Sequence, residues 1–568
     1  MDRFWLKYYP PGVPADIDPS RYPSLVALIE ESFANYRGAK AYVCMGAALT
    51  FGEVDTLSKA LAAWLQGRGL KRGARVAIMM PNVLQYPVTL AAVLRAGFIA
   101  VNVNPLYTAR ELEHQLRDSG AEAVIVLDNF AVTLQAALAD GATAVKHVVV
   151  SSMGDLMGFP KGLIVDFVVR SVKKLIPPYV LPGHVKFRQV IASGKAMSFT
   201  QPDLGPDDVA VLQYTGGTTG IAKGATLLHR TIVANLLASE AWMQPGLRRK
   251  ELEGQFNIVC ALPLYHVFAF ITCGLLGMRT GALNILIPDP RDMKGTVRTL
   301  SKYRINIFPG VNTLFNALAN RADFAQLDFS GLAISNGGGM AVQEAVAKKW
   351  LAVTGCPIVE GYGLSETSAG VTCNPTDSEA YTGSIGLPMP NVEIKILDDE
   401  GRELPLGQPG EIAIRGPQVM KGYWQRPDET AKVMTPDGFF KSGDIGEMDE
   451  RGYIRIVDRK KDMIVVSGFK VYPNEIEGVV SGYPGVHECA AVGVPDARSG
   501  EAVMLFVVKS DPKLTKEALE AFCAHEFTGY KRPKFIEFRN ELPKSNVGKI
   551  LRRELRDEVV TKTKKKAA

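Results

Sequence analysis

Residues 214–223 read Y-T-G-G-T-T-G-I-A-K, which puts flexible backbone, three hydroxyls and one cation into ten positions. Gly216, Gly217 and Gly220 can turn backbone N–H groups toward anionic oxygens with no Cβ in the way, while Thr215, Thr218 and Thr219 add hydroxyl donors. Lys223 supplies the charge. A strand-like apolar run over 209–212 precedes the loop and a helical pattern over 231–238 follows it, a setting that suits a polyphosphate cradle. The Walker-type loop needs glycine directly before its lysine and a hydroxyl directly after it. Here Ala222 precedes Lys223 and Gly224 follows, so that motif fails.

Three further segments carry groups of the same kind. S-N-G-G-G-M at 335–340 stands with E-G-Y-G-L-S-E-T at 360–367, K-S-G-D-I at 441–445 stands with V-D-R-K-K at 457–461, and P-K-S-N-V-G-K-I closes the series at 543–550. In this order the segments resemble the adenylate-forming enzymes: acyl-CoA synthetases, peptide-synthetase adenylation domains and luciferases. The chain is most similar to bacterial long-chain fatty acid–CoA ligases, through V-N-P-L-Y-T-A-R-E-L-E-H-Q-L (103–116), L-P-L-Y-H (262–266), G-V-N-T-L-F-N-A-L (310–318) and V-S-G-F-K-V-Y-P-N-E-I-E (466–477).

The resemblance implies a set of roles. A carboxylate that attacks the α-phosphorus of ATP brings two anions together, so such a site needs a divalent cation and fixed positive groups. Glu366 matches the glutamate that holds Mg2+, with Thr218 as a second metal contact. Tyr362 and Gly363, with Gly337, Gly338 and Gly339, match the adenine subsite. Asp444 matches the acceptor of both ribose hydroxyls, and Arg459 faces ribose or phosphate. Lys441 stands where histidine or arginine is common. Lys549 matches the lysine that bridges the carboxylate and the α-phosphate, His266 the histidine that places the carboxylate, and Lys461 the hinge. The acyl pocket is expected along 308–319, at Gly310, Val311 and Leu314, with Phe270 as either an aromatic gate or a core phenylalanine.

The elements that must position these residues follow from periodicity. Leu57, Leu61 and Leu65 at helical spacing, then apolar runs at 76–80, 99–103 and 124–127, alternate in the manner of parallel strands with covering helices. The same style resumes with runs at 257–262, 283–287, 305–308 and 332–335. Residues 383–457 change to short β-prone runs punctuated by Gly and Pro, which reads as a small antiparallel sheet or barrel. Five consecutive charges at 458–462 mark a boundary. The expected architecture is α/β: a large N-terminal domain over 1–457 with mixed and parallel sheets and a β-barrel-like subdomain at 383–457, a hinge at 458–461, and a smaller, mobile α+β domain over 462–568.

With 568 residues the chain exceeds the roughly 250–300 at which single cores stop growing. Most of its net charge of +6 belongs to the tail, where Lys562, Lys564, Lys565 and Lys566 stand without an acid, so a nucleic-acid partner is not indicated. Seven scattered cysteines, never in C-x-x-C spacing, suggest neither a disulfide framework nor zinc. The start lacks the apolar segment of a secretory signal, and a cytoplasmic chain is expected. On a helical wheel over 161–176, Asp166, Arg170, Lys173 and Lys174 share one face, with Ile164, Val168, Val172 and Leu175 on another. That is either a surface helix packed on the core or a peripheral contact with the inner face of the membrane. The expected partners are a fatty acid, ATP and coenzyme A, with Mg2+ as cofactor; a homodimer is compatible with the sequence. The expected reaction is activation of a long-chain fatty acid through an acyl-adenylate, the alternatives being a medium-chain or aryl acid ligase and a non-catalytic sensor.

Overall fold

The computed structural model describes residues 3–215, 222–250, 254–496, 498–545 and 548–567, with side chains as far as residue 561. Two large sheets dominate. The first has seven strands, and its central members Arg75–Met79, Ile99–Asn102, Ala123–Leu127, His147–Ser151 and Val209–Thr215 all run parallel. Lys223–Leu228 closes one edge antiparallel to Val209–Thr215. The second sheet has nine strands, parallel through Asn257–Cys260, Leu283–Leu286, Ile307–Gly310, Ile334–Gly337 and the start of Ile358–Leu364, then antiparallel at both edges. Both sheets carry helices; most of their buried side chains merge into one core, and a second core, with Met79, Val101, Val124 and Leu212, covers part of the seven-stranded sheet. The apolar strand runs behave as parallel strands covered on both faces should.

The alternation read along the sequence hides a swap between sheets. Lys40–Cys44 joins the nine-stranded sheet beside Leu283–Leu286 with Ala47–Thr50 at its edge, although the strands from Arg75–Met79 to His147–Ser151 that come next build the other one. The region expected to be barrel-like is an open antiparallel sheet of Glu393–Leu397, Gly410–Arg415, Phe440–Met448 and Ile454–Arg459, and its first and last strands are not paired. The segment Leu387–Pro388, counted with that region, pairs instead with the edge of the nine-stranded sheet.

Beyond Arg459 a turn is closed by Asp462 N and Met463 N donating to Arg459 O, with Lys461 inside it. Ile464–Val466 then starts a five-stranded sheet whose long hairpin, Val486–Asp496 with Gly500–Lys509, has its own cores on its two faces. A third strand, Phe535–Arg539, runs parallel to Gly500–Lys509.

Helix packing near the N-terminus rests on a buried cation. Arg95 is fully buried, donating to Glu30 at 2.7 and 2.9 Å, to Asp55 Oδ1 at 2.7 Å, to Asp55 O at 2.9 Å and to Ser58 Oγ at 2.6 Å. Arg95→Ala leaves Asp55 buried with its chief partner gone. Removing one member of a buried ionic network costs about 3–5 kcal/mol. The variant should therefore show a clearly lowered urea midpoint, and an unchanged midpoint would contradict this account of the network.

Candidate active site

The cavity of about 2360 Å3 lies at the carboxyl ends of the parallel strands of the nine-stranded sheet, where open α/β sheets present their ligand crevices. Pockets for drug-sized ligands reach roughly 1,000 Å3, so this one has room for a nucleotide and a second substrate together. One wall is built from the ends of Ile307–Gly310, Ile334–Gly337 and Ile358–Leu364. Another comes from Phe440–Met448, and the loop carrying Lys549 closes the far side.

Close backbone packing at the strand ends explains the glycines. A Cβ on Gly337 would stand 2.8 Å from Ile358 and Val342, and one on Gly338 3.2 Å from Gly361 O and the Phe268 ring. Gly339 adopts φ +75°, a left-handed conformation that favours glycine. At Gly363 the constraint is tightest, since a Cβ would lie 1.8 Å from Ala369 O. Beneath this floor Phe308, Phe315, Phe324 and Trp350 pack ring to ring.

The structure brings Tyr362, Asp444 and Arg459 together. Tyr362 Oη donates to Asp444 Oδ2 at 2.6 Å, Arg459 Nε lies 3.3 Å from Asp444 Oδ1, and Asp444 itself is buried. Glu366 Oε1 accepts from Tyr423 Oη at 2.8 Å, and burial raises its carboxyl above the usual range. Lys223 lies 4.5 Å from the Tyr423 ring centroid and 3.1 Å from Glu429 Oε2, so its charge reaches the Glu366 side of the cavity already partnered. It sits in the strand opposite Thr215. Gly216, Gly217, Thr218, Thr219 and Gly220 lie outside the described residues.

Lys549 lines the same cavity as His266, although 283 positions separate them in sequence. Its loop is held by Ser545 N donating to Lys549 O at 2.7 Å and by Lys549 N donating to Ser545 Oγ at 3.2 Å. Next to it Gly548 has φ +79°, and a Cβ there would meet Thr313 Oγ1 at 2.4 Å, so the loop is seated directly on the large domain's helix Asn312–Ala319. Loss of water, with Arg459 and Lys461 nearby, lowers the Lys549 ammonium to about 7. Burial, reinforced by Lys549, lowers His266 to about 4 and keeps it neutral near pH 7. Lys461 is lowered to about 8, first by desolvation and then by Arg459.

Two sets of residues depart from expectation. Gly310, Val311 and Leu314 face the core rather than the cavity: Val311 and Leu314 are buried, and a Cβ on Gly310 would stand 2.7 Å from Phe315. The opposite face of that helix, with Asn312, Thr313 and Asn316, lines the cavity. Phe270 is fully buried and absent from the lining, as a core phenylalanine would be, while Phe268, Thr272 and Leu276 face the opening. These three belong to a helical stretch over 267–279 whose middle, Phe270–Leu275, is π-helical, so ordinary helical spacing misjudges its faces. Asn235, Ser239, Trp242 and Met243 from His229–Arg248 line the facing wall.

The sequence reading also missed a brace behind Lys549. Asp458, fully buried, accepts from Arg459 N at 2.7 Å and from Asn474 N at 2.8 Å, and burial lifts its carboxyl to about 6. Arg552 adds to it, with Glu477 at 2.6 Å and Asp462 at 3.6 Å. The run of charges at 458–462 was the available signal.

A cleft walled by strand ends and completed by a lysine loop from the smaller C-terminal body defines a two-body α/β enzyme. The chain belongs to the AMP-binding enzyme family: the AMP-binding enzyme model matches residues 29–424, and the AMP-binding enzyme C-terminal domain matches residues 475–549. Long-chain-fatty-acid–CoA ligases of Escherichia coli O6:H1 and Haemophilus influenzae are 55% and 50% identical to it, each match covering 100% of both chains. ATP-bound MatB from Rhodopseudomonas palustris superposes with a TM-score of 0.79 at 27% identity, over 94% of this chain and 99% of that one. The anthranilate CoA ligase AuaEII with anthranoyl-AMP shares the fold at a TM-score of 0.84 and 24% identity, over 96% and 100%.

The lowered Lys549 predicts a pH dependence with a definite sign. A lysine depressed to about 7 is cationic below that pH and neutral above it, so ATP affinity of the apo protein should fall as pH rises through about 7. Lys549→Arg keeps its charge and should remove that fall. Equal profiles for the two proteins in equilibrium binding would rule out Lys549 as the titrating group.

Proposed function

We propose that the chain activates long-chain fatty acids with ATP to give fatty acyl-CoA, AMP and pyrophosphate, in two half-reactions at this cavity. The observation that carries the proposal is the convergence of Lys549, His266, Tyr362, Asp444 and Glu366 on one cavity, in a chain 55% identical to a long-chain-fatty-acid–CoA ligase over its whole length.

In the first step a carboxylate oxygen bonds to the α-phosphorus of ATP and the bond to pyrophosphate breaks. Lys549 holds its positive charge against the carboxylate and the α-phosphate, where negative charge builds in the transition state. Neutral His266 orients the carboxylate by a hydrogen bond without adding a second cation. Asp444 accepts from the ribose hydroxyls, and Tyr362 lies along the adenine. In the second step the thiol sulfur of coenzyme A bonds to the acyl carbon, its proton leaves, and AMP departs. The domain carrying Lys549 is released for this step by rotation about the turn at Lys461, with residues 1–457 and 462–568 as the two bodies.

Mg2+ fits as a partner of the triphosphate. Among the described residues no cluster of three acidic or metal-binding side chains exists, but Mg2+ commonly uses one or two carboxylates and completes its shell with phosphates and water. Glu366 would hold it, Thr218 is assigned as a second contact by the family resemblance alone, and the ion supplies neutralising charge when bound. The acyl chain is assigned to the arm between Asn235–Met243 and Phe268–Leu276. Among the described residues no helix is long and apolar enough to cross a membrane. The enzyme is assigned to the cytoplasm, with peripheral contact at the inner membrane face where its substrate partitions.

Pyrophosphate release, assayed across acids of increasing length with and without coenzyme A, tests the proposal. Release should require an acid, rise toward long chains and be followed by acyl-CoA when the thiol is present. A preference for aryl acids, or no acid-dependent release, would overturn it. Lys549→Ala should slow adenylate formation by roughly 10²–10³-fold while sparing thioester formation from supplied acyl-AMP. Equal losses in both steps would remove the lysine from its role.

Thr272→Phe puts a ring into the assigned acyl arm. If it excludes two or three methylenes at about 0.8 kcal/mol each, kcat/KM for long acids should drop by roughly 30-fold relative to shorter ones, with ATP affinity kept. An undiminished preference for long chains would place the acyl chain elsewhere.

A further inference from the structure

Seven of the thirteen large apolar side chains that stand exposed among the described residues fall between 159 and 180. Phe159 is 88% exposed, Phe167 62% and Val180 71%, and Leu163 and Ile164 are more than half exposed. The helical stretch Lys161–Phe167 with Val168–Val172 thus turns apolar residues outward. What seats it on the protein is mostly backbone contact and polar bonding. Gly162 rests on Gly154, where a Cβ on either would lie 2.1–2.4 Å from the other's carbonyl oxygen. Asp166 accepts from Gly154 N at 2.7 Å and pairs with Arg188 at 3.4 Å, while Arg170 donates to buried Asp128 at 2.9 Å. Val169 is its one buried large apolar side chain.

A helix that keeps its acid inside and turns Leu163, Ile164 and Phe167 outside together presents apolar side chains as an interaction surface does. The flanking charge selects the partner. Lys173 and Lys174 are exposed and Lys161 is half-buried, whereas the only acid between 159 and 180 is Asp166, which is engaged. Cations beside outward apolar groups match the interfacial zone of an anionic bilayer, where the rings and aliphatic groups enter the acyl boundary and the ammonium groups meet headgroup phosphates. We propose that residues 159–180 are the surface by which this protein docks reversibly on anionic lipid bilayers, a proposal that rests on the peripheral location assigned above and supplies the surface for it. Docking brings the enzyme to the phase in which an oily carboxylate is concentrated.

Flotation of the full chain with vesicles of phosphatidylcholine and phosphatidylglycerol tests this, beside vesicles of phosphatidylcholine alone. The unsubstituted chain should co-float with the anionic vesicles, less so at high salt. The triple variant Leu163→Ser, Ile164→Ser, Phe167→Ser should bind at least about tenfold more weakly, since each lost side chain removes membrane-buried apolar area. Lys173→Glu with Lys174→Glu should abolish the preference for anionic vesicles. In both variants, activity on a water-soluble medium-chain acid should stay unchanged, which separates a lost surface from a lost fold. No co-flotation of the unsubstituted chain, or undiminished co-flotation of the triple variant, would overturn the proposal. So would dimerisation in solution that the triple variant abolishes without any vesicle binding, because a second copy would then cover the patch. Vesicle binding without acyl-CoA formation would leave the surface standing and remove the ligase assignment.

Discussion

Lys549 is a cation kept short of water among three other cations, and the organisation of the molecule answers to that constraint. Arg459, Lys461 and Arg552 disfavour its charge, and only Asp444 opposes them among its principal charged neighbours. A cluster so arranged gains most when anions enter, because each incoming negative charge relieves repulsion already present. The cost of assembling the cluster is met by the packing around it. Asp458 and Arg552 tie the turn to the C-terminal body, and Gly548, with no side chain of its own, lets the loop rest directly on Thr313.

The same constraint accounts for the division between two sheets. In the two half-reactions proposed above, a lysine fixed on the large domain would stay in the cleft through both, including the one in which a thiol displaces AMP. Carried on a body joined by a short turn, it can be present for one chemistry and absent for the next. The price is a positioning problem, and the seating of Gly548 against the helix Asn312–Ala319 addresses it by backbone contact rather than by a flexible side chain. The neutral state of His266 fits this division, since a further cation beside Lys549 would raise the repulsion already present.

Much of this was legible in the sequence. Strand after strand lies within a few residues of its apolar run, as with Arg75–Met79 for 76–80 and Asn257–Cys260 for 257–262, because parallel strands buried on both faces read as continuous hydrophobic stretches. The polar site was legible for another reason. Tyr362, Asp444 and Arg459 stand in motifs whose residue types suit their contacts, and the three do touch. The sheet swap of Lys40–Cys44 was not legible, since pairing between segments more than 240 residues apart leaves no local mark. The brace of Asp458 with Asn474 and Arg552 left a local mark, the charge run at 458–462, but nothing in that run names its partners.

Where the sequence misplaced a face or left it open, the cause is one: periodicity divides a helix into two faces without saying what each face meets. On Asn312–Ala319 the apolar side, Leu314 and Phe315, packs inward and the polar side lines the cavity, so choosing pocket residues by hydrophobicity selected the wrong face. On 161–172 the assignment inverts, with Asp166 engaged on the protein side and Leu163, Ile164 and Phe167 turned out. The two cases differ in what the neighbouring chain offers. Beneath Phe315 lies an aromatic cluster with Trp350 that rewards apolar burial, whereas beneath 161–172 lie a glycine backbone, the N–H of Gly154 and the carboxylate of Asp128, which reward a close approach and charged partners. Which face turns inward is therefore decided by residues far away in sequence. An apolar face left outside by that decision has had its usual structural explanation removed, which is why it points to a surface with work to do.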